Sequence, residues 1–380
     1  MITISNTEEA LKQYYLDAFS WQLNANISPF FNAIEKTSKN ITGRSALVSI
    51  ARGTHAGVAA INEDDELPAP HKEGYFMFEL ELKNIYGTIE LTDKIIRSSA
   101  NSAGAVVNVL NAEMEGLIAG AKSNFARMLY GDGNGYLCSV VSKVDSNNIK
   151  VTNVKNYFEG MNVTISSSPN IQTRITSVDT EAGTIKVYDN LASVTLEGGE
   201  AIRITGAFGN ELLGLGAIFD GSAIYGFSKS ITYFNPLKRT CALDDLTEDD
   251  LLNVIDTLEE TAEAKPTMIL CSHKVRRKIA SIVKTSRTFV NTTDIASGYS
   301  NIVINGVPVY ADKYCPDDKI YFLNTDDFML SQLCDWSWLE DDGGRILKQI
   351  PNKAAYRATL VKYAQLICRK PFGQGAIVLT

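Results

Sequence analysis

An amphipathic stretch over residues 101–130 sets the scale of any fold this chain can adopt. Its apolar residues recur at alternating intervals of three and four, which predicts one long helix. The residues of this stripe are Ala103, Val107, Leu110, Met114, Leu117, Ala121, Phe125 and Met128. At a rise of 1.5 Å per residue, such a helix is roughly 45 Å long. The glycine-rich turn over residues 131–135 ends it, so the rest of the chain must supply a body along which the stripe is buried.

Before this helix, residues 41–91 have the alternation of two β-strands. The first strand carries apolar side chains on one face at Ala46, Val48 and Ile50. The second carries them at Phe76, Phe78, Leu80 and Leu82. The connection INEDDELPAPHKEG is acidic and interrupted by prolines, which indicates a solvated loop. A lone two-stranded ribbon is at best marginally stable in water, so we expect its apolar face to pack against another molecule.

Residues 138–206 contain short, evenly spaced β-like runs separated by polar turns. The runs lie at 150–153, 161–166, 174–178, 184–188 and 200–205. Such a pattern predicts a small barrel or sandwich. Because mixed α and β sequence flanks the segment on both sides, we interpret it as a domain inserted where the chain leaves and returns at nearby points.

After Gly206 the chain returns to mixed helix and strand. Thr247 and the acids that follow it predict a helix N-terminus, and Lys265-Pro266 predicts the end of that helix after about residue 264. The remaining predicted elements are a strand over 267–271, a helix capped by Ser272, a tight turn at Asn305-Gly306, and C-terminal strands over 356–368 and 376–379.

The composition is that of a globular chain with an acidic balance. Its 380 residues are 45% hydrophobic and 21% charged, and the formal net charge is −8. An acidic chain does not draw its affinity from neutralising phosphates over a wide basic surface. The sequence shows neither an apolar run long enough to span a membrane nor a signal peptide, so we expect no membrane partner and assembly in a cytoplasm.

Residues that carry catalysis or bind metals are sparse. The phosphate-binding pattern GxxxxGK[ST] does not occur. The six scattered cysteines predict buried free thiols, with disulfides or zinc as the alternatives. The three histidines lie far apart in the sequence and are expected at the surface: His55, His71 and His273. Asp132 to Gly135 lacks the further oxygen ligands of a calcium loop. We therefore expect no enzymatic activity, no cofactor and no metal.

Two short sequence motifs flank the predicted long helix, one before it and one at its end. The phrase YGTIELT occupies residues 86–92, and LYGDGNG occupies residues 129–135. In wording and order, residues 79–135 resemble the major capsid proteins of tailed bacteriophages, which have the Hong Kong 97-type fold. Residues 356–375 are also similar to the returning strand segment of that family.

The resemblance implies an α+β fold with six parts. These are an N-arm (1–40), an extended loop (41–91), a peripheral domain with the long helix as its spine (92–137), an inserted small all-β domain (138–206), an axial domain (207–350) and strands that return to the peripheral domain (351–380). The inserted part is similar to small β-domains that some of these capsid proteins carry as decorations.

The resemblance also implies roles for individual residues. The expected sets are inter-subunit contacts of the extended loop at Phe76, Phe78, Leu80 and Leu82; spine packing at Val107, Leu110, Met114, Leu117 and Phe125; a turn from loop to spine at Tyr86, Gly87 and Thr92; and a turn after the spine at Gly131, Asp132, Gly133 and Gly135. Some relatives join subunits by Lys–Asn isopeptide bonds, for which Lys72 and Asn352 are the conceivable partners.

The implied function is that of a structural protein. Copies would form the hexamers and pentamers of an icosahedral shell, assemble in the cytoplasm of a host bacterium, and become part of the virion. The shell would enclose double-stranded DNA without sequence-specific binding. Because the extended loop begins near Ile41, we expect a separate scaffolding protein, or assembly without one, rather than a fused scaffolding domain. Portal and decoration proteins are further expected partners.

Two other functions are consistent with the sequence. An encapsulin-like bacterial nanocompartment would share the fold and hold cargo enzymes in place of DNA. An uncharacterised enzyme or glycan-binding protein would carry its activity in the inserted β-domain, and would be a monomer with turnover or affinity for a sugar.

Overall fold

The computed structural model describes residues 28–52, 58, 60, 74–94, 105–167, 170–286, 302–340 and 346–380. The α-helices in these ranges are α1 (Pro29–Ala33), α2 (Ala105–Met128), α3 (Leu215–Phe219), α4 (Glu248–Ala262) and α5 (His273–Ser286). The strands up to α3 are β1 (Glu35–Thr37), β2 (Ile41–Thr42), β3 (Ser45–Arg52), β4 (Gly74–Glu81), β5 (Lys83–Thr92), β6 (Tyr136–Lys143), β7 (Asn148–Val151), β8 (Asn162–Ile165), β9 (Ile171–Asp179), β10 (Thr184–Val187) and β11 (Ala201–Ile204). The later strands are β12 (Ala223–Ile224), β13 (Phe227–Ser228), β14 (Leu237–Cys241), β15 (Met268–Cys271), β16 (Ile302–Ile304), β17 (Val307–Ala311), β18 (Lys319–Leu323), β19 (Phe328–Trp338), β20 (Lys348–Gln349), β21 (Ala355–Cys368) and β22 (Gly375–Leu379).

A five-stranded sheet is built around the long strand β21. Strands β1, β19, β21 and β20 follow one another, and β5 also pairs with β21, from Ala355 opposite Thr92 to Ala364 opposite Lys83. Helix α2 packs on one face of this sheet, where Met114, Ile118 and Phe125 are buried. The long helix that the sequence predicted is therefore confirmed, and β5 and β21 belong to the body that buries its stripe.

The predicted turn from loop to spine at Tyr86, Gly87 and Thr92 is wrong. All three residues lie within β5, which is continuously paired with β21. A Cβ on Gly87 would lie 2.7 Å from Cδ1 of Leu117, so glycine lets this helix side chain approach the strand closely, and a larger residue here would have to displace the end of that side chain. Glycine in a sequence signals either a turn or such an approach, and the three-dimensional neighbour decides between them.

The junction between the end of α2 and the start of α3 is the tightest backbone contact around the helix. Leu215 N donates to Leu129 O at 2.8 Å. A Cβ on Gly214 would meet the carbonyl oxygens of Met128 and Leu129, the latter at 2.5 Å. Only glycine fits at this point, because both obstructing atoms belong to the backbone and cannot rotate away.

We predict that Gly214→Ala lowers the free energy of unfolding by about 3 kcal/mol through overpacking. Gly120, inside α2, has open space at its Cβ position, so Gly120→Ala should raise stability by roughly 0.5–1 kcal/mol through helix propensity. Chemical denaturation of the two variants measures both effects. Equal stabilities of Gly214→Ala and the parent chain would contradict the tight junction.

A six-stranded mixed sheet forms the second body, in the order β14, β22, β18, β15, β17 and β16. Helices α4 and α5 cover one face around Leu251, Ile255 and Ile279, all fully buried. The other face joins the larger core around the five-stranded sheet through residues such as Tyr321. One continuous core therefore connects the two sheets.

Local signals in this region are confirmed. Thr247 caps α4 in a capping box with Asp250, and Val275 N in the first turn of α5 donates to Ser272 Oγ at 3.4 Å. The tight turn between β16 and β17 holds Asn305 and Gly306 at positive φ.

Residues 136–204 form a closed barrel in the order β10, β7, β6, β11, β8 and β9. Of the two architectures that the sequence left open, the structure has the barrel. Its interior is a separate core that includes the fully buried Ile149, Val163 and Ile185. The two ends meet at the base, where Ile204 N donates to Gly135 O at 3.0 Å.

The expectation that residues 351–380 return to a single sheet is wrong. Strand β21 does lie in the five-stranded sheet, but β22 pairs with β14 and β18 in the six-stranded sheet. Conversely, β19, from the predicted axial range, pairs with β21. Both C-terminal strands are buried along most of their length, so hydrophobicity predicts two core strands without indicating which sheet each one joins.

Candidate assembly surface

The candidate site is the two-stranded ribbon of β3 and β4, because one of its faces is covered by the chain and the other is exposed. The strands pair from Ser45 opposite Glu81 to Arg52 opposite Gly74, and the short strand β2 pairs with the start of β3. Side chains alternate between the faces of a strand, so the register separates an inner face from an outer face. The inner face carries Ala46, Val48, Ile50, Phe76, Phe78 and Leu80.

The inner face packs on aromatic side chains of the same chain. Phe78 stacks on Tyr225 with ring centroids 4.9 Å apart, and Phe76 contacts Phe227 at 5.4 Å and Phe234 at 5.0 Å. These rings belong to the β12–β13 hairpin and the short helical turn that follows it. The ribbon is thus attached to its own body by an aromatic cluster (Phe76, Phe78, Tyr225, Phe227, Phe234).

The prediction of a contact with a neighbouring subunit is therefore wrong for Phe78, Leu80 and Leu82, and for Phe76 it stays a prediction. Phe78, Leu80 and Leu82 are buried within the chain, and Phe76 is partly buried against the aromatic cluster. Alternation identifies an apolar face, but it does not show which body covers that face.

The outer face of the ribbon is uncovered and has an apolar centre. Leu47 is 49% exposed, Tyr75 61% and Met77 64%. At the base of the ribbon an exposed ion pair joins Arg44 to Glu81 at 3.3 Å. A group of exposed large apolar side chains is typical of an interaction site. This exposed face was not predicted from the sequence, although the alternation within β3 and β4 also defines it.

The spine helix is anchored to the sheet by aromatic and charged contacts. Of the predicted packing residues, Met114 and Phe125 are buried and Leu117 is partly buried, whereas the side chains of Val107 and Leu110 lie outside the described residues. Phe125 makes edge contacts with Phe31 at 5.5 Å and Trp336 at 6.0 Å.

A buried lysine on β21 reinforces this contact. The fully buried Lys362 Nζ donates to Asp335 Oδ1 at 2.6 Å and Gln332 Oε1 at 2.9 Å, and it lies 5.4 Å from the ring centre of Phe125. Burial lowers the pKa of Lys362, and the Asp335 carboxylate opposes that change. No signal in the sequence predicted this pair, because its members become neighbours only when β19 pairs with β21.

An ion pair in which both side chains are buried lies at the end of the spine. Arg127 Nη2 donates to Glu211 Oε1, and Arg127 also donates to Asn124 Oδ1 from Nη2 at 2.9 Å. The two charged side chains are only 6% and 3% exposed. This pair ties the helix to the chain that returns from the barrel.

The turn after the spine contains the predicted residues Gly131, Asp132, Gly133 and Gly135. Asn134 N donates to Asp132 Oδ1 at 3.0 Å, and Gly133 and Gly135 have positive φ. The geometry is that of a turn closed by its own aspartate. Among the described residues, no group of three or more His, Cys, Asp or Glu side chains is placed to hold a metal ion.

Other predicted residues are dispersed. His273 is exposed at the start of α5, while His55, His71 and Lys72 lie outside the described residues. Asn352 has positive φ in an exposed turn before β21. Trp336 and Trp338 are both buried, which favours core packing over ligand stacking. The six cysteines are free thiols, four of them buried. Within the described part of the chain, helices that are long and apolar enough to cross a membrane are absent.

Comparison with known proteins identifies the fold. No family model matches the chain, and no curated protein does. The capsid of cyanophage A-1(L) is similar over 91% of this chain and 93% of its own, at 12% identity and a TM-score of 0.54. The capsids of the native and the empty GTA particle match 93% of this chain, and 91% and 90% of theirs, at 10% identity with TM-scores of 0.51 and 0.52. The chain therefore has the fold of these capsid subunits, which confirms the resemblance to phage capsid proteins.

Proposed function

We propose that this chain is the major head protein of a tailed phage and that it acts by binding copies of itself. In this proposal, copies form hexamers and pentamers of an icosahedral shell that encloses double-stranded DNA. The shell protein carries no enzymatic activity of its own. A separate scaffolding protein, a portal and decoration proteins are its further partners, and the assembled protein resides in the virion.

The proposal includes a Hong Kong 97-type arrangement of the parts. The ribbon corresponds to the extended loop, α2 to the spine, the five-stranded sheet to the peripheral domain and the six-stranded sheet to the axial domain. The barrel corresponds to the inserted β-domain. Under this assignment the peripheral domain takes β19 as well as β21, and the axial domain takes β22, as their pairing requires.

The observation that carries the proposal is the two-faced ribbon. Its inner face is held by the chain's own aromatic cluster, while Leu47, Tyr75 and Met77 remain exposed on the opposite face. Fixing the inner face presents the outer face as a rigid surface with an apolar centre, beside which Glu79 and Glu81 are also exposed, and this rigidity lowers the entropic cost of binding. A partner that covers this surface removes apolar area from water, and a second copy of the chain is the partner that a shell provides.

Geometry then determines what such contacts can build. A surface on one side of a subunit that binds a different surface on the next is a head-to-tail contact, and head-to-tail contacts that close by rotation generate rings. Obligate interfaces of this kind often exceed about 2,000 Å². Repeated over a closed shell, modest contacts become very difficult to reverse because each subunit is held by several neighbours.

Sedimentation velocity combined with negative-stain electron microscopy tests the proposal. We expect particles far larger than the 41.6 kDa chain, with rings of five and six subunits visible in their walls. Shells isolated from the host should contain double-stranded DNA, whereas cargo protein in its place would support a nanocompartment. A compact monomer that stays unchanged as its concentration rises would contradict self-assembly.

A further inference from the structure

Strand β5 has a long edge that pairs with no other strand of the described residues. Its ten residues pair with β21 along one side only. Asp93 N donates to Ala354 O at 2.9 Å, which fixes the direction of the backbone groups along the ladder. In an antiparallel ladder, residues that exchange hydrogen bonds alternate with residues whose N–H and C=O point to the opposite side. The residues of β5 that point outward are therefore Asn84, Tyr86, Thr88, Glu90 and Thr92.

This outward row is accessible and unprotected. All five residues are exposed, and the register of β5 with β21 is continuous over its whole length. The row carries one charge, Glu90, which forms an ion pair with Arg357 of the neighbouring strand. Sheets usually protect an exposed edge by short strands, uncompensated charges, prolines or bulges. A long edge without these features is a template for pairing with another strand.

The strands at the other ends of the two sheets differ from β5 in this respect. Strands β1 and β16 have three residues each, and β20 has two. Strand β14 has five residues, of which Lys238 and Arg239 are exposed cations. Short or charged strands of this kind pair poorly with another chain. The described sheets therefore protect these edges and leave β5 open.

The outward row of β5 fits a second copy of itself. If two copies lie antiparallel about a two-fold axis at Thr88, this residue faces its own copy, Tyr86 faces Glu90, and Asn84 faces Thr92. Every outward N–H and C=O of the row then has a partner. The two Glu90 carboxylates are not opposite each other, where like charges would be unfavourable. We propose that two copies of this chain join edge to edge through β5 in this register, so that their five-stranded sheets become continuous.

In a shell, this edge contact joins one ring of subunits to the next. Head-to-tail contacts close rings, and a different contact must then hold neighbouring rings together. A two-fold contact needs only one surface, because the same row serves on both subunits. The role between rings rests on the proposed function, whereas the pairing of two copies through β5 does not require a ring.

Cysteine cross-linking of the full chain tests the register. In a hydrogen-bonded antiparallel pair the Cα atoms are about 5.5 Å apart, a separation that a disulfide spans. Thr88→Cys places a thiol opposite its own copy. Asn84→Cys, on the same exposed row, is the matched control, because it faces Thr92 and lies roughly 27 Å from its own copy. After mild oxidation we expect linked dimers of Thr88→Cys to form at least about tenfold faster than those of Asn84→Cys. The parent chain gives the background from its own cysteines.

A proline on the edge tests the backbone contact itself. Thr88→Pro removes the central outward N–H and keeps the bonds to β21, and an edge strand tolerates proline where its N–H faces solvent. Thr240→Pro is the matched control on β14. Leu237 N donates to Gln374 O, so by alternation the N–H of Thr240 also points away from its partner strand β22. We expect Thr88→Pro to lower the yield of closed particles about tenfold or more and Thr240→Pro to leave it within about twofold.

Two results would overturn the edge contact. One is equal cross-linking of Thr88→Cys and Asn84→Cys. The other is a normal yield of closed particles from Thr88→Pro that is folded by circular dichroism, and if this variant does not fold, the cross-linking decides alone. Cross-linking also works on unassembled protein. A parent chain that forms no particles therefore contradicts the proposed shell, while the two cysteine variants still decide the edge contact.

Discussion

Replacing Glu211 with alanine should lower the free energy of unfolding by about 3–5 kcal/mol. The variant leaves the Arg127 guanidinium buried with Asn124 as its remaining side-chain partner. Removing one member of a buried ion pair is costly because the other charge keeps its desolvation penalty without its attraction. Urea or guanidinium denaturation followed by circular dichroism measures the loss.

The double variant Arg127→Met/Glu211→Leu is the informative comparison. Two apolar side chains of similar size remove both charges, so the double variant should be within about 1 kcal/mol of the parent chain, or more stable. Arg127 Nη1 and Glu211 Oε2 are buried without a hydrogen-bond partner among the described residues, which makes the pair an imperfect one to begin with. A double variant less stable than Glu211→Ala would show that the ion pair contributes more to the free energy of unfolding than an apolar pair of similar size.

Replacing Met77 with aspartate should abolish particle formation and leave the subunit folded. Met77 is 64% exposed in the isolated chain, so the substitution should change the free energy of unfolding by no more than about 0.5 kcal/mol. If the outer face of the ribbon is covered in the shell, the same change buries a carboxylate in an apolar contact. A penalty of roughly 2–3 kcal/mol at each contact corresponds to about a thirtyfold to hundredfold loss of affinity, repeated at every subunit.

Val144→Asp is the matched control for this experiment. Val144 is 58% exposed, on the barrel, and the substitution adds the same charge to a similar apolar side chain. We expect Val144→Asp to form particles in normal yield as judged by sedimentation and microscopy. Normal particles from Met77→Asp would exclude the outer face of the ribbon as an assembly contact.

Elements defined by neighbouring residues could be predicted from the sequence. The long helix, the capping box of α4 and the Asn305-Gly306 turn depend on spacings of two to four residues, and all three are present. Five of the six barrel strands, all except β6, overlap runs that the same kind of local alternation predicted. The resemblance to capsid proteins rested on residues 79–135 and 356–375, and the fold comparisons agree with it.

Features defined by distant residues could not be predicted. The contact of Phe78 with Tyr225 joins positions 147 residues apart (225 − 78). This contact shows that the inner face of the ribbon packs against its own chain. The role of Gly87 is set by the close approach of Leu117, which is 30 residues away in the sequence (117 − 87). The sheet that β22 joins is set by its pairing with β14 and β18. Alternation in the sequence identifies an apolar face, but the tertiary fold determines which residues pack against that face.

The two ends of the barrel touch at its base, where Ile204 donates to Gly135 and Ala207 lies against the same glycine. The chain therefore enters and leaves the barrel at one place, and an ion pair between Lys155 and Asp317 is a further contact between the barrel and the rest of the chain. When a flexible segment connects two fixed ends that lie close together, doubling its length adds only about 0.6 kcal/mol to the entropic cost of closing the loop. We therefore expect that a longer or shorter segment at this place would leave the strand pairing of the two sheets unchanged.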